Sequence, residues 1–374
     1  MGKSSKDKRD AYYRLAKEQS WRARSAFKLL HLDEHFDLFG SDVTRVVDLC
    51  AAPGSWSQVL SRVLVRGECL GRRAWTARMK RERKAVYHGL EGLDDGLDPN
   101  EEVDMGDRRP RNNVKIVAVD LQPIASLEGV QTLIADITHQ DTIPRILEAL
   151  KSDTIKEGET ETKPLVDLVI SDGAPDVTGM HDLDIFIQAQ LLFSALNLAL
   201  RILKPGGKFI SKIFRGKDVD FIYAQMRCFF EKVTCAKPRS SRASSLEAFV
   251  ICEGFNMPKG FNVEELLPLG IGGQNNLPFN NLKKPQKAAS SSKEEKGAVG
   301  EVDFEVSEDE TEDHRWIAPF VACGDLSAWD ADATYSLPKD HVSLDPVQPP
   351  INPPYKAALE ERRRKGGLYG KTKQ

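Results

Sequence analysis

The sequence has few cysteines and no long apolar segment, and each absence argues against a class of protein. Its 374 residues include six cysteines with no Cys-x-x-Cys pair, which argues against a zinc ribbon or a disulfide scaffold and favours a reducing compartment. No apolar run approaches the roughly 20 residues that span a bilayer, and residues 1–7 lack the apolar core of a secretory signal. We therefore expect a soluble, cytoplasmic protein with no membrane partner.

An overall excess of charge of one sign is also absent. Lys and Arg total 53 against 56 Asp and Glu, for a formal net charge of -3, which excludes a uniformly basic nucleic-acid binder. The charge is nevertheless uneven, because residues 1–28 hold nine basic and three acidic side chains, interleaved with Tyr12, Tyr13 and Trp21. Basic groups pair with phosphates and exposed rings stack on unpaired bases, so this segment is either an RNA contact or a solvated, fraying terminus.

Two phosphate-binding signatures are missing. The turn after the first predicted strand lacks Gly-x-Gly-x-x-Gly, and Gly-x-x-x-x-Gly-Lys-Ser/Thr occurs nowhere in the chain. Both motifs place backbone N–H groups around phosphates. Without them, the sequence gives little support for a dinucleotide or a nucleoside triphosphate as the ligand. S-adenosylmethionine carries no phosphate and is compatible with a turn that has a single glycine.

Short β-branched runs alternate with longer helix-like segments over most of residues 1–255. This alternation is typical of an α/β domain with a parallel sheet. Residues 68–113, which are rich in Arg, Asp and Gly, interrupt it, and we expect a flexible surface insertion there. Residues 256–374 are predicted to form an extended tail that wraps the core or engages a partner, with a disordered acidic linker over 283–313.

Three predicted strands end in an aspartate: Asp48, Asp120 and Asp136. In a parallel α/β sheet, ligands bind beyond the carboxyl ends of the strands. Asp120 is placed to accept hydrogen bonds from a ribose diol, and Asp136 to contact an adenine amino group. Each aspartate alone is typical of a helix cap or a turn. Their recurrence at successive strand ends favours an adenosine cofactor.

One lysine lies inside an apolar strand. Lys212 lies between Ile210 and Ile213, where a charged side chain is rarely placed for solubility. Burying an ammonium group without a counter-ion is costly, so we expect a carboxylate near it. Asp172 and Glu247 are the candidates.

Several motifs follow one another along the first 255 residues. They are RSAFKL at 24–29, DLCAAPGSWSQ at 48–58, DGAPD at 172–176, LKPGG at 203–207, KIFRG at 212–216, KPRSSR at 237–242 and SLE at 245–247. In this combination the sequence resembles the FtsJ/RrmJ family of S-adenosylmethionine-dependent RNA 2′-O-ribose methyltransferases. The resemblance implies a Rossmann-like methyltransferase fold, with a mostly parallel seven-stranded sheet and helices on both faces.

The resemblance also implies the residues of the site. The implied catalytic tetrad is Lys28, Asp172, Lys212 and Glu247. The implied contacts to S-adenosylmethionine come from Gly54, Trp56, Asp120, Asp136 and Asp172. No metal is implied.

Two stretches of the tail, 319–327 and 349–355, resemble the eukaryotic tRNA anticodon-loop branch of this family. Such enzymes methylate tRNA nucleotides 32 and 34 with separate partner proteins, which implies a tRNA substrate and protein partners here. A 2′-O-methyltransferase of rRNA or of an mRNA cap uses the same chemistry, and the tail stretches argue against it. The presence of all four tetrad residues argues against a non-catalytic RNA-binding adaptor, and the missing glycine motif argues against a nicotinamide dehydrogenase.

Lys212 is the predicted general base for the ribose 2′-hydroxyl. This role requires a pKa well below the usual value of about 10.4. Burial and the like charge of Lys28 lower this pKa, whereas Asp172 and Glu247 raise it. We expect the exclusion of water to lower the pKa of Lys212 and the carboxylates to orient the lysines. In the alternative, Lys212 stays charged and mainly steers the attacking oxygen.

Overall fold

The computed structural model of the chain describes residues 10–88, 110–151, 165–175, 178–216, 219–259, 316–325, 327–338 and 340–348. Its helices are α1 (Ala11–Glu18), α2 (Ala26–Phe36), α3 (Ser55–Leu60, continued by a π-helical turn over Ser61–Val65), α4 (Gly71–His88), α5 (Thr142–Leu150), α6 (His181–Ile202) and α7 (Val219–Arg227). Its strands are β1 (Arg45–Leu49), β2 (Lys115–Asp120), β3 (Val130–Ile134), β4 (Val166–Ser171), β5 (Leu203–Phe214), β6 (Phe230–Pro238), β7 (Glu247–Phe255) and β8 (Phe320–Cys323).

The strands form one sheet in the order β3-β2-β1-β4-β5-β7-β6-β8. All neighbouring strands are parallel except β7, which runs antiparallel to both β5 and β6. The predicted α/β fold with a mostly parallel sheet is therefore confirmed. The strand order reverses between β1 and β4, and the carboxyl edge at such a reversal is where ligands bind in this architecture.

The apolar core lies on both faces of the sheet. Side chains from α5, α6 and α7 cover one face, where Phe209 and Phe230 stack with ring centroids 6.2 Å apart. Side chains from α1, α2 and α3 cover the other face, where Trp21 and Trp56 are 2% exposed. Helix α6 is long and apolar enough to cross a bilayer, but half (50%) of its most apolar 18-residue stretch is buried inside the protein. Its second half supplies buried side chains to the core, among them Leu192, Leu196 and Ala199, whereas Phe186 in its first half is exposed.

The sheet has eight strands rather than the expected seven. The additional strand β8 comes from the tail and pairs in parallel with β6, with Phe320 opposite Cys235. Backbone bonds at both ends hold it: the Cys235 amide donates to Pro319 at 2.8 Å and the Arg239 amide to Cys323 at 2.8 Å. The expected number of strands was wrong because the formation of a four-residue strand depends more on the sheet edge it joins than on its own residue pattern.

The tail continues beyond β8 across α1. The Tyr12 hydroxyl donates to the backbone oxygen of Trp329 at 2.9 Å, and Lys17 Nζ donates to that of Leu344 at 2.7 Å. The segment predicted to be a disordered acidic linker, 283–313, lies outside the described residues.

The insertion predicted to be a flexible loop over 68–113 begins with a helix instead. Helix α4 covers Gly71–His88 and packs on α2. Its sequence is rich in Ala, Arg and Lys, which are good helix formers, and the Asp33 carboxylate accepts the Arg72 backbone N–H at 2.8 Å. The charge of this segment suggested a loop, but these helix propensities and this cap favour a helix. Residues 89–109 lie outside the described part of the chain.

Candidate active site

Four charged side chains form a continuous series of contacts at the carboxyl edge of β4 and β5. Lys28 Nζ lies 2.7 Å from Glu247 Oε2, and the same oxygen lies 3.7 Å from Lys212 Nζ. Lys212 Nζ lies 2.7 Å from Asp172 Oδ1 and donates to the Asp172 backbone oxygen at 2.9 Å. The structure thus brings the predicted tetrad together in the order Lys28, Glu247, Lys212, Asp172. These side chains are between 8% and 17% exposed, so they are largely but not completely shielded from water.

Sheet register places three of the four groups. Ser171 at the end of β4 pairs with Ser211 of β5, so the next residues, Asp172 and Lys212, lie side by side. Strand β7 runs in the opposite direction, and its first residue, Glu247, therefore reaches the same edge.

Lys28 comes from the first turn of α2, which a buried tryptophan anchors. Trp56 Nε1 donates to the Ser25 backbone oxygen at 2.9 Å, and its ring centroid lies 5.6 Å from that of Phe249. The indole is 2% exposed. Its side chain is a core group that fixes the start of α2, and any cofactor contact from Trp56 would have to come from its backbone.

Two supporting side chains were missed by the sequence analysis. Gln188 of α6 is 1% exposed, and its Nε2 donates to the backbone oxygens of Gly173 at 3.1 Å and Lys212 at 3.0 Å. Ser241 Oγ donates to Glu247 Oε1 at 2.7 Å. Ser241 lies in the motif at 237–242, which was a usable signal, whereas nothing in the sequence around Gln188 indicates its role.

The charges of the site determine its protonation. Burial alone would raise the pKa of Glu247, but the ammonium groups of Lys28 and Lys212 lower it to about 2. Burial alone would lower the pKa of Lys212, but Asp172 and Glu247 raise it above its usual value. The expected low pKa of Lys212 is therefore wrong for the resting site. Two carboxylates outweigh the loss of water, and the ammonium form is kept.

The turn after β1 is crowded by the protein's own side chains, so position 54 has room only for glycine. Gly54 has φ of 93°, and a Cβ atom added there would lie 2.5 Å from Arg22 Nη1 and 2.8 Å from Ile124 Cγ2. The Arg22 guanidinium donates to the backbone oxygens of Pro53 at 3.1 Å and Ala125 at 2.9 Å. Arg22, which the sequence analysis did not single out, thus links the turns that follow β1 and β2.

The aspartates after β2 and β3 each hold a turn at this edge. Asp120 accepts backbone N–H groups from Ala52 and Gln122, both at 2.8 Å. Asp136 Oδ1 accepts the backbone N–H of Thr138 at 2.8 Å and its hydroxyl at 2.7 Å. An ionised carboxylate has about four acceptor positions, so both residues can still accept hydrogen bonds from a ligand. Their remaining acceptor positions, at the carboxyl edge of the sheet, fit the ribose and adenine groups of an adenosine-containing cofactor.

Asp48, the third aspartate predicted at a strand end, is completely buried inside the protein. Asp48 is 0% exposed, its Oδ2 accepts the Ser57 hydroxyl at 2.5 Å, and its Oδ1 has no partner among the described residues. Burial, opposed by the Ser57 bond and reinforced by the charges of Asp172 and Asp120, raises the pKa of Asp48 to about 8. The side chain is therefore a neutral acid beneath the site at pH 7. Among the described residues, no group of three or more His, Cys, Asp or Glu could hold a metal ion.

Comparison with known proteins assigns the family. Residues 21–255 match the sequence profile described as FtsJ-like methyltransferase. A tRNA (cytidine(32)/guanosine(34)-2'-O)-methyltransferase of Schizosaccharomyces pombe is 47% identical over 98% of this chain and 99% of its own length. The mouse protein of the same name is 44% identical over 99% of this chain and 89% of its own.

A solved structure, human methyltransferase-like protein 13 in complex with SAH, is 16% identical with a TM-score of 0.31 and covers 65% of this chain and 85% of its own. The family match covers well over half of the chain, and the two relatives match it almost end to end. The chain therefore belongs to the FtsJ-like methyltransferase family.

Proposed function

We propose that the protein transfers a methyl group from S-adenosylmethionine to the ribose 2′-hydroxyl of nucleotides 32 and 34 in the anticodon loop of tRNA. The observation that carries this proposal is the Lys28–Glu247–Lys212–Asp172 series at the sheet edge. The choice of substrate is supported by relatives that are named for this reaction and match almost the whole chain.

Gly54, Asp120 and Asp136 would hold the cofactor. Gly54, with its positive φ, would shape the turn beside the cofactor, and the two carboxylates would accept hydrogen bonds from its ribose and adenine groups. When bound, S-adenosylmethionine supplies a methyl group made electrophilic by its sulfonium. The protein's own task is to hold the ribose hydroxyl in line with that methyl group and to remove the proton of the hydroxyl.

Lys212 and Asp172 move that proton together. Because the resting Lys212 is charged, it cannot accept a proton without losing one. Asp172 Oδ1 lies 2.7 Å from Lys212 Nζ as an ion pair that is not aligned as a hydrogen bond in the resting site. Rotation of the ammonium group would let this oxygen take one of its protons while the amine takes the proton of the 2′-hydroxyl. The proton of the substrate thus ends on the Lys212 nitrogen, and a lysine proton ends on the Asp172 carboxylate. This relay retains Lys212 as the proton acceptor without requiring a low pKa.

Lys28 and Glu247 position the relay. Glu247 stays ionised, with a pKa of about 2, and its Oε2 is shared by both lysines. A fixed anion between two cations holds the Lys212 nitrogen in place while the charge on its other side changes.

The proposal includes separate protein partners that select nucleotide 32 or 34, and a cytoplasmic location. Both are supported by the sequence resemblance to the anticodon-loop branch and by the composition of the chain. Affinity purification of the full chain, followed by methylation assays with and without the co-purified proteins, tests the partners. Imaging of the tagged chain tests the location.

The reaction itself is tested by mapping ribose methylation in tRNA, rRNA and mRNA caps from cells that lack the protein. We expect methylation at tRNA positions 32 and 34 to be lost, to return with the wild-type chain, and to stay absent with Lys212→Ala. A loss confined to rRNA or caps would contradict the substrate. Rescue by Lys212→Ala would instead indicate a non-catalytic adaptor.

A further inference from the structure

Helix α4 carries a dense positive charge beside the helix that supplies Lys28. Its 18 residues include seven Lys or Arg and one Glu. It packs on α2 and buries Ala77, which is 3% exposed, whereas Lys80 and Arg81 on later turns are exposed to solvent. Among the described side chains of α4, the exposed charged groups are three basic ones, Arg78, Lys80 and Arg81, and one acid, Glu82. Such an excess of positive charge attracts a polyanion.

The contacts of α4 show in which direction it runs. Its start lies at the end of α2, where Arg72 Nη1 donates to the backbone oxygens of Glu34 and His35, both at 3.2 Å. Two turns later, Arg78 Nη2 lies 3.3 Å from Asp325 Oδ2. Asp325 follows Gly324, where an added Cβ would lie 2.8 Å from His31 Cγ. Moving along α4 therefore leads back along α2 from its end toward its beginning.

This direction takes the second half of α4 toward the active site. Lys28 lies in the first turn of α2, one turn before His31. Ten residues of α4 follow Arg78, a length of about 15 Å at 1.5 Å per residue. The basic half of α4 therefore continues toward the edge of the sheet where the tetrad receives its nucleotide.

We propose that α4 binds the phosphate backbone of the tRNA substrate, next to the nucleotide held by the tetrad. The inference rests on the proposed function and extends it to a second contact that lies outside the tetrad. Lys80 and Arg81 neutralise substrate phosphates, and their effect is on affinity rather than on the chemical step, because neither residue is part of the tetrad series.

The acidic block of this chain at 301–313 is a second polyanion that could bind α4. The block lies outside the described residues, and Trp316, where the described chain resumes after it, lies on the face of the sheet opposite α4. Trp316, which follows the block, lies with its ring centroid 6.5 Å from that of Tyr223 and 4.4 Å from the Arg227 guanidinium, both on α7. Helix α7 covers one face of the sheet, and α2 with α4 lies on the other. The position of Trp316 therefore favours RNA as the occupant of α4.

The test compares two double charge reversals in the full-length protein. Lys80→Glu with Arg81→Glu removes the proposed contact. Arg145→Glu with Lys232→Glu makes the same change in net charge at exposed positions on α5 and β6, where the Lys232–Glu253 pair at 3.3 Å is a surface ion pair of little energetic value. Binding of a fluorescent anticodon stem-loop RNA is measured across a range of salt concentrations, and single-turnover methylation of the tRNA is measured at low and saturating RNA.

For the α4 variant we expect about tenfold weaker RNA binding and a salt slope smaller by about one to two units, with a methylation rate at saturating RNA within about twofold of wild type. The neutral Lys80→Gln, Arg81→Gln variant should bind RNA with an affinity between those of the wild type and the charge-reversed α4 variant. Thermal melting checks that both α4 variants remain folded.

Equal losses in the α5/β6 variant, or unchanged RNA binding in the α4 variant, would overturn the proposal. Tighter RNA binding by the α4 variant would indicate that α4 binds the acidic block at 301–313, and it would also overturn the proposal. If the wild-type chain binds the stem-loop through α4 but methylates no tRNA, the proposed function fails and the α4 contact stands.

Discussion

Lys212 Nζ lies 2.7 Å from Oδ1 of Asp172 and 2.9 Å from the backbone oxygen of the same residue. One residue thus contacts the ammonium group with both its side chain and its backbone, and Glu247 approaches from another direction at 3.7 Å. Such an arrangement stabilises the charged lysine, which is why its pKa is raised even though it is buried.

The raised pKa of Lys212 leads to a prediction about pH. A lysine that had to be neutral before reaction would make the single-turnover rate rise about tenfold per pH unit below its pKa. The Asp172 relay needs no such ionisation, so we expect the rate to vary by less than about threefold between roughly pH 6.5 and pH 9. The measurement is rapid-quench methylation of tRNA at saturating substrates. Asp48→Asn is assayed in parallel because Asp48 titrates within this range. A tenfold rise per unit in both proteins would contradict the relay.

Glu247→Gln should slow methyl transfer without preventing cofactor binding. The amide keeps the shape of the side chain but removes the charge that Lys28 and Lys212 share, so the two ammonium groups repel each other and the reacting nitrogen shifts. We expect a loss of about 100-fold in the single-turnover rate. Glu253→Gln is the matched control, because Glu253 lies on the same strand and also contacts two lysines, Lys208 at 3.6 Å and Lys232 at 3.3 Å. Equal effects of the two variants would remove Glu247 from the site.

Asp120→Ala should weaken the binding of S-adenosylmethionine. The substitution removes the carboxylate that holds the Ala52 and Gln122 backbone N–H groups and any bond to the cofactor ribose. The loss of one or two charge-assisted hydrogen bonds predicts about 10- to 100-fold weaker affinity in calorimetry. Asp182→Ala, at an exposed position in the first turn of α6, serves as the control. Unchanged affinity would remove Asp120 from the cofactor site.

The stability of Asp48→Asn relative to wild type should increase as pH rises. The folded pKa of about 8 lies above the usual value, so the folded state binds the proton more tightly than the unfolded state. The stability that this acid contributes is present below its unfolded pKa and is lost as pH rises toward 8, at up to about 1.4 kcal/mol per unit. Asparagine cannot ionise, so the difference in melting temperature between variant and wild type should grow from about pH 5 to pH 9. A difference that stays constant over this range would show that Asp48 does not retain its proton.

Much of the architecture could be predicted from local patterns. The alternation of β-branched runs with helix-like segments indicated an α/β domain with a parallel sheet, which the structure confirms. The apolar neighbours of Lys212 indicated that a carboxylate must lie near it, because a buried charge needs a counter-ion. The family resemblance carried by the motifs implied the four residues of the tetrad. The strand pattern and the need for a counter-ion depend on side-chain type and spacing, which a sequence contains.

Other features exist only once distant segments meet. Lys28 and Glu247 are separated by 219 residues, and no local pattern records that one carboxylate oxygen is shared between two lysines. The charged state of Lys212 depends on the balance of burial against two nearby charges, and both vary with distances of a few ångströms. The sequence by itself determined which groups this protein brings to its site and most of the sheet that carries them. The tertiary structure alone decided their protonation, the core position of Trp56, the strand β8 and the direction of α4, because each depends on contacts between parts of the chain that are far apart in sequence.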